Sequence, residues 1–220
     1  MDRLDQDLAA YYDQDAAARA ARELDPERVA RRAEFVALLL AEGRRTVLEV
    51  GTGPGRDAAA FIAAGLAVAG VDLSREHVRL ARQAGVDAHQ ASVLAMPFPP
   101  RSFDAGWTMS TLLHVPDDQF AAALDAIAAR LVDGAPLAVG LWGGRDHEGR
   151  SDRDTIEPPR FFSSRTHERA RAMLSRVGRV ERFDTWAGAR TTDWEYQWAV
   201  VRIARPPAPL TPPRPGGTAR

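Results

Sequence analysis

Three glycines at alternate positions follow a short apolar segment. Residues 46–50 read as a buried strand, Gly51, Gly53 and Gly55 come directly after it, and the Arg and Ala residues at 56–60 favour a helix. Glycine lets a backbone turn sharply and approach a ligand closely, because it has no Cβ. The free N–H groups of the following helix point at the same place. The segment therefore predicts a cradle for a small molecule.

Two acids accompany this glycine loop. Glu49 stands two residues before the first glycine, and Asp72 ends the next predicted strand. The third glycine lies one position earlier than in the G-x-G-x-x-G pattern of dinucleotide binders. The two oxygens of Asp72 can accept hydrogen bonds from both hydroxyls of a ribose. Acids at strand ends are also ordinary turn formers, so both interpretations remain open.

Composition restricts the function classes. The chain has 220 residues, 45% of them hydrophobic, and a net charge of -1, which fits one domain over residues 1–205 and disfavours nucleic acid and membrane surfaces as partners. It has no cysteine, which excludes disulfides and thiolate chemistry, and its five histidines lack paired spacing, so we expect no metal site. A cytoplasmic monomer or homodimer is expected, since no signal or spanning segment is seen.

Strand and helix signals alternate through most of the chain. This alternation predicts a parallel sheet with helices on both faces, preceded by N-terminal helices over residues 1–42. The predicted strands are 46–50, 67–71, 86–91, 103–109, 136–142, 179–186 and 194–203. Residues 143–159 are polar and predict a long surface loop, the last two strands predict a hairpin around Gly188, and the proline-rich residues 206–220 predict a disordered tail.

Four sequence blocks together resemble one enzyme family. They are VLEVGTGPG at 47–55, VDLS at 71–74, SVLAMPFPPRSFDAGWTMSTLLHV at 92–115 and LVDGAPLAVGLWG at 131–143. In this combination the chain resembles the class I S-adenosylmethionine-dependent methyltransferases over about residues 30–205. The resemblance implies a Rossmann-like three-layer α/β sandwich whose seven strands lie in the order 3-2-1-4-5-7-6, with the last strand antiparallel. It also implies S-adenosylmethionine as cofactor and S-adenosylhomocysteine as product.

The resemblance assigns cofactor contacts residue by residue. The glycine loop would surround the methionine end, Glu49 would bind its amino group, and Asp72 would bind the ribose. Ser92 replaces the acid that the family often places near the adenine, and its shorter side chain makes a weaker acceptor. The complete set of cofactor-binding residues is Glu49, Gly51, Thr52, Gly53, Gly55, Asp72, Leu73, Ser92, Val93, Thr108 and Met109, with Thr108 favoured over Met109.

Four side chains are candidates for the substrate side. His114 follows the fourth strand and is the candidate catalytic base, because the ordinary pKa of histidine lies near neutrality. A packing role for His114 is an equal alternative, since methyl transfer needs mainly proximity and alignment. Tyr11 and Tyr12 could belong to a lid over the site or to an amphipathic packing face. Trp142, just beyond the fifth strand, is expected to form a pocket wall.

The sequence therefore predicts a methyltransferase that moves a methyl group to an oxygen, nitrogen or carbon atom of a small molecule. Two other functions remain alternatives. One is a non-catalytic protein of the same fold that binds S-adenosylmethionine. The other is a nicotinamide-dependent oxidoreductase, which the position of the third glycine disfavours.

Overall fold

A computed structural model describes residues 1–187 and 194–204 of the chain. Its helices are α1 (Arg3–Ala21), α2 (Pro26–Ala41), α3 (Arg56–Ala63), α4 (Arg75–Gln83), α5 (Asp117–Arg130) and α6 (His167–Leu174). Its strands are β1 (Thr46–Val50), β2 (Ala67–Asp72), β3 (Asp87–Gln90), β4 (Ala105–Met109), β5 (Pro136–Gly143), β6 (His147–Arg150), β7 (Phe161–Ser164), β8 (Gly178–Ala187) and β9 (Glu195–Ile203). The predicted loop around Gly188 and the predicted tail at 206–220 lie outside the described residues.

The main sheet has seven strands in the order β3-β2-β1-β4-β5-β9-β8. Neighbours from β3 to β5 pair in parallel, and β9 pairs antiparallel with both β5 and β8. Counted within this sheet alone, the order is the predicted 3-2-1-4-5-7-6 with an antiparallel last strand. The α/β prediction is therefore confirmed, although an extra pair of strands shifts the numbering of the last two.

That extra pair corrects the predicted loop at 143–159. Within it lies β6, which pairs antiparallel with β7, just beyond the predicted loop, as a separate two-stranded sheet. The residues of β6 are His-Glu-Gly-Arg, which have no apolar alternation, so no strand is predicted there from sequence. The segment is tied to the rest of the fold by an ion pair between Arg150 and Asp7 of α1, at 2.5 Å.

The helices begin where capping residues satisfy their free N–H groups. The Asp25 carboxylate accepts from Glu27 N before Pro26 opens α2, and Ser74 Oγ accepts from His77 N at the start of α4. An Asp followed by a Pro is a helix-start signal that the sequence itself contains. These caps matter for the site because α4 begins directly after the carboxyl end of β2.

Side chains fill both faces of the main sheet. Along β1, Leu48 and Val50 pack on the face that α5 covers, whereas Val47 packs on the opposite face with Phe35 and Phe61. Successive residues of a strand point to opposite faces, so a strand buried on both sides carries apolar residues at nearly every position. The core thus fixes the sheet, and the carboxyl ends of its parallel strands meet at one edge.

Candidate active site

A cavity lies at the carboxyl ends of β1, β2 and β4 and beside the residues that follow β3. Segments from the whole chain meet there, including the glycine loop and the first helix. The predicted residues that line it are Tyr12, Gly51, Thr52, Gly53, Asp72, Leu73, Ser92, Val93, Met109 and His114. Residues of α1 form one wall, and this placement agrees with the predicted position of a lid.

The three glycines of the loop have different structural roles. All three have positive φ, which favours glycine. A Cβ on Gly53 would meet no atom within 4 Å, a Cβ on Gly51 would overlap the side chain of Thr111, and one on Gly55 would press on Ala81 of α4. Gly53 therefore leaves space in the cavity. Gly51 permits close packing, and Gly55 lies away from the cavity at the start of α3.

Asp72 joins the glycine loop to α4. Its Oδ2 accepts a hydrogen bond from Gly53 N at 2.8 Å, and its Oδ1 accepts one from Ser74 N at 2.9 Å. The Nδ1 atom of His77 lies 3.3 Å from the same Oδ1. The loop after β1 and the helix after β2 are thus both fixed to one carboxylate, which faces the cavity.

Glu49 is buried behind the cavity wall rather than exposed in it. Only 1% of its surface is accessible, and its Oε2 accepts a hydrogen bond from Thr52 Oγ1 at 2.6 Å. Burial, with the negative charge of Asp57 as a further cause, raises the pKa of Glu49 to about 8. Thr52 lines the cavity, so Glu49 can act on a ligand through Thr52 or through its charge.

The side of the cavity beyond β3 contains an acid that sequence analysis missed. Ser92 and Val93 line it as predicted, and Asp5 of α1 lines it too. Burial raises the pKa of Asp5, while hydrogen bonding with Ser92 partly opposes the rise. An acid from the first helix therefore lies beside the serine that stands where the family often has an acid.

The fourth strand corrects one prediction. Thr108 was favoured over Met109, but Met109 lines the cavity and Thr108 does not. Thr108 is completely buried, and its Oγ1 has no hydrogen-bond partner. Because both faces of β4 are buried, residue type does not indicate which of two adjacent residues faces the cavity. Ser110 and Thr111, the next two residues, also line it.

His114 and Tyr12 meet at the cavity wall. His114 Nδ1 lies 2.6 Å from the carbonyl oxygen of Phe161, which can only accept, so Nδ1 carries the proton. In the neutral ring Nε2 is then an acceptor, and it lies 2.6 Å from Tyr12 Oη. Burial lowers the pKa of His114 to about 3. Its lone pair is occupied and its basicity is low, which argues against the predicted role as a base.

Two predicted substrate residues lie away from the cavity. Tyr11 is buried, with its ring edge toward Tyr12 and the guanidinium of Arg160 over its face at 4.5 Å. Trp142 packs edge-on against Tyr196, with ring centroids 5.0 Å apart. Neither residue lines the cavity. The aromatic group that sequence analysis singled out at these positions thus serves packing, as aromatic residues usually do in cores.

Several cavity residues had no sequence signal. The cationic ones are Arg19, Arg28 and Arg56. Arg28 is paired with the buried Asp57 at 2.5 Å, and Arg19 with Asp15 at 3.1 Å. His77 also lines the cavity, and it could have been noticed because it occupies the first turn of the helix that follows Asp72. Three cationic side chains in one wall suit a ligand with a carboxylate.

Within residues 1–187 and 194–204, no group of three or more His, Asp or Glu side chains is placed to hold a metal ion. The same part of the chain contains no helix of sufficient length and apolarity to cross a bilayer.

The glycine loop, the acid after β2 and the segments after β3 and β4 thus share one cavity at the edge of a parallel sheet. Residues 47–134 match the model of the methyltransferase domain family. This segment of the chain is similar to methyltransferase domains. The resemblance to class I S-adenosylmethionine-dependent methyltransferases is confirmed by this match and by the fold.

Relatives agree with the domain assignment. An uncharacterized methyltransferase of Mycobacterium sp. (strain JLS) is 43% identical over 77 residues, which is 34% of this chain and 31% of that protein. The chain thus spans about a third of the length of the mycobacterial relatives it matches.

Solved structures share the fold at low identity. Magnesium protoporphyrin IX methyltransferase from Synechocystis, solved with S-adenosylmethionine, has a TM-score of 0.66 at 16% identity and covers 92% of this chain and 98% of its own. The 1,6-didemethyltoxoflavin N1-methyltransferase of Burkholderia thailandensis, solved with its substrate and S-adenosylhomocysteine, has a TM-score of 0.62 at 20% identity, covering 84% and 93%.

Proposed function

We propose that this protein transfers the methyl group of S-adenosylmethionine to an oxygen, nitrogen or carbon atom of a small molecule. The observation that carries the proposal is the hydrogen bond from Gly53 N to Asp72 Oδ2, at 2.8 Å. It brings the glycine loop and the strand-end acid to the same cavity, so one ligand can contact both.

The cavity residues fit the parts of this cofactor. The acid Asp72 suits the ribose hydroxyls. The open side of Gly53 leaves room for the methionine end, whose carboxylate suits the arginine-rich wall and whose ammonium suits Glu49 behind Thr52. The remaining residues beyond β3 suit the adenine: Leu73, Ser92 and Val93 from the predicted set, and Asp5 from α1. When bound, the cofactor supplies an electrophilic methyl group on a sulfonium and is released as S-adenosylhomocysteine.

The protein's own contribution is to enclose and orient the reactants. Methyl transfer is an in-line displacement, for which proximity and alignment supply most of the catalysis. Met109, Ser110 and His114 line the cavity near the end of β4, and α1 closes it from the other side. We assign Tyr12 a positioning role: its single proton is given to His114 Nε2, so its oxygen remains able to accept a hydrogen bond from a substrate.

A small substrate is favoured by the first helix. Residues 2–19 contribute side chains to the cavity wall, which leaves little access for a large macromolecular substrate. The Burkholderia enzyme with the same fold acts on a small molecule, and this agrees with the proposal. The net charge of -1 also offers no overall attraction for nucleic acid.

The test is formation of S-adenosylhomocysteine during incubation with S-adenosylmethionine and a panel of small oxygen, nitrogen and carbon nucleophiles, followed by mass spectrometry. We expect turnover that requires one class of nucleophile. If the protein binds S-adenosylhomocysteine but produces none across a broad panel, it is a non-catalytic binder of the cofactor. Binding of NADH, and no binding of either sulfur compound, would support an oxidoreductase instead.

A further inference from the structure

His77 is the buried cavity residue whose hydrogen bonding is incomplete. Only 3% of its surface is exposed, although it lines the cavity. Its Nε2 atom has no hydrogen-bond partner. An unpaired polar atom in such a place costs roughly 1–3 kcal/mol, so it marks a position where a partner is missing.

The chemical state of His77 follows from its neighbour. Its Nδ1 lies 3.3 Å from Asp72 Oδ1, and an ionised carboxylate can only accept. Nδ1 therefore carries a proton, and in the neutral tautomer Nε2 is an acceptor with no donor.

No nearby side chain provides that donor. The ring of Tyr12 lies 5.5 Å from the ring of His77, but the single hydroxyl proton of Tyr12 is already given to His114 Nε2. The backbone N–H of His77 is not available either, because it donates a hydrogen bond to Ser74 Oγ at 3.0 Å. A ligand in the cavity can supply the donor for His77 Nε2.

Most acceptor positions of the Asp72 carboxylate are already occupied by groups of the protein. A carboxylate offers about four acceptor positions. Three are already used, two on Oδ1 by Ser74 N and His77 Nδ1 and one on Oδ2 by Gly53 N. One position on Oδ2 remains, whereas a ribose diol presents two O–H donors.

We propose that His77 Nε2 accepts one ribose hydroxyl of the cofactor while Asp72 Oδ2 accepts the other. His77 is then a cofactor-binding residue, and Asp72 and His77 together bind the two ribose hydroxyls. The proposal rests on the proposed function, since it requires that S-adenosylmethionine binds in this cavity.

The test is calorimetric binding of S-adenosylhomocysteine and of its 2′-deoxy and 3′-deoxy analogues to the intact protein and to two variants. His77→Asn offers an amide N–H to Asp72 Oδ1 in place of Nδ1–H but removes Nε2. His89→Asn is the matched control, because His89 lies on β3 outside the cavity lining. In the wild type, we expect removal of the hydroxyl that His77 accepts to weaken binding about 5- to 10-fold. In His77→Asn, removal of that same hydroxyl should have no further effect, and His89→Asn should resemble the wild type.

A second readout needs no variant. Nitrogen-15 NMR of the wild type should show an unprotonated His77 Nε2 whose resonance shifts toward the hydrogen-bonded range with S-adenosylhomocysteine, and shifts less with one of the deoxy analogues. If the deoxy penalties are the same in the wild type and His77→Asn, or if the resonance does not move, the inference is wrong although the cofactor binds. If the wild type does not bind S-adenosylhomocysteine at all, the proposed function itself fails.

Discussion

Tyr12 Oη lies 2.6 Å from His114 Nε2, and 102 residues of sequence separate the two. The contact joins α1 to the segment after β4 at the wall of the cavity. Because the other ring nitrogen of His114 is held by the Phe161 carbonyl, the tyrosine proton points toward the histidine. We propose that a neutral His114 holds the first helix over the site through this contact.

This arrangement predicts a pH dependence of stability. The folded pKa of His114 is lowered from 6.5 to about 3, so its contribution is complete above about pH 6.5 and is lost as the pH falls toward 3. Lowering the pH from about 7.5 to about 5.5 should therefore reduce the free energy of unfolding by about 1.4 kcal/mol through His114. Urea unfolding at the two pH values measures it, and His114→Gln should lose most of the difference. An equal acid sensitivity in His114→Gln would contradict the burial of a neutral histidine.

Cofactor binding should release a proton from Glu49. Its pKa is raised to about 8 in the ligand-free protein, so the carboxyl is mostly protonated at neutral pH. A cation bound beside Thr52 favours the ionised form, and affinity should therefore rise with pH up to about 8. Calorimetry in two buffers of different ionisation enthalpy reports the released proton, and Glu49→Gln should abolish it. The same binding heat in both buffers would rule out this coupling.

Gly51 and Gly53, the first two glycines of the loop, should respond differently to substitution by alanine. Gly53→Ala places a methyl group in open cavity space at a φ of +55, so we expect a stability loss of about 1–2 kcal/mol and a large loss of ligand affinity. Gly51→Ala must displace Thr111, whose hydroxyl is bonded to Val50 O and Met109 O, and should cost about 1–3 kcal/mol more. Thermal unfolding and cofactor titration of both variants measure the contrast. Equal stability losses would contradict the packing role of Gly51.

Much of this architecture was predictable because the helices and strands alternate and their caps are local signals. Asp25 before Pro26 and the glycines after β1 are recognisable in the sequence. The β6–β7 hairpin was missed because the polar residues of β6 take their register from a partner strand.

The site itself was predictable only in part, because its remaining residues depend on tertiary contacts. The loop and Asp72 are adjacent to strand ends, which meet at one edge in any parallel sheet. The position of α1 is not specified locally, so Asp5 and the pairing of Tyr12 with His114 had no signal. Met109 and Thr108 could not be distinguished, since both are buried in a strand covered on both faces.

Asp72→Ala tests the ribose assignment. The substitution removes a charged acceptor, so we expect cofactor affinity to fall by about 1.5–3 kcal/mol, which is more than tenfold. It also leaves Gly53 N and Ser74 N without their acceptor, so Asp72→Asn, which keeps an oxygen acceptor, is the matched variant. Asn should retain more stability than Ala but still lose affinity. Unchanged affinity in both variants would refute the assignment.

The most direct measurement is titration calorimetry of S-adenosylhomocysteine into the wild-type protein. The account predicts saturable binding of one ligand per chain, with markedly weaker binding to Asp72→Ala and to Gly53→Ala. Absence of binding to a wild-type protein that unfolds cooperatively would contradict it.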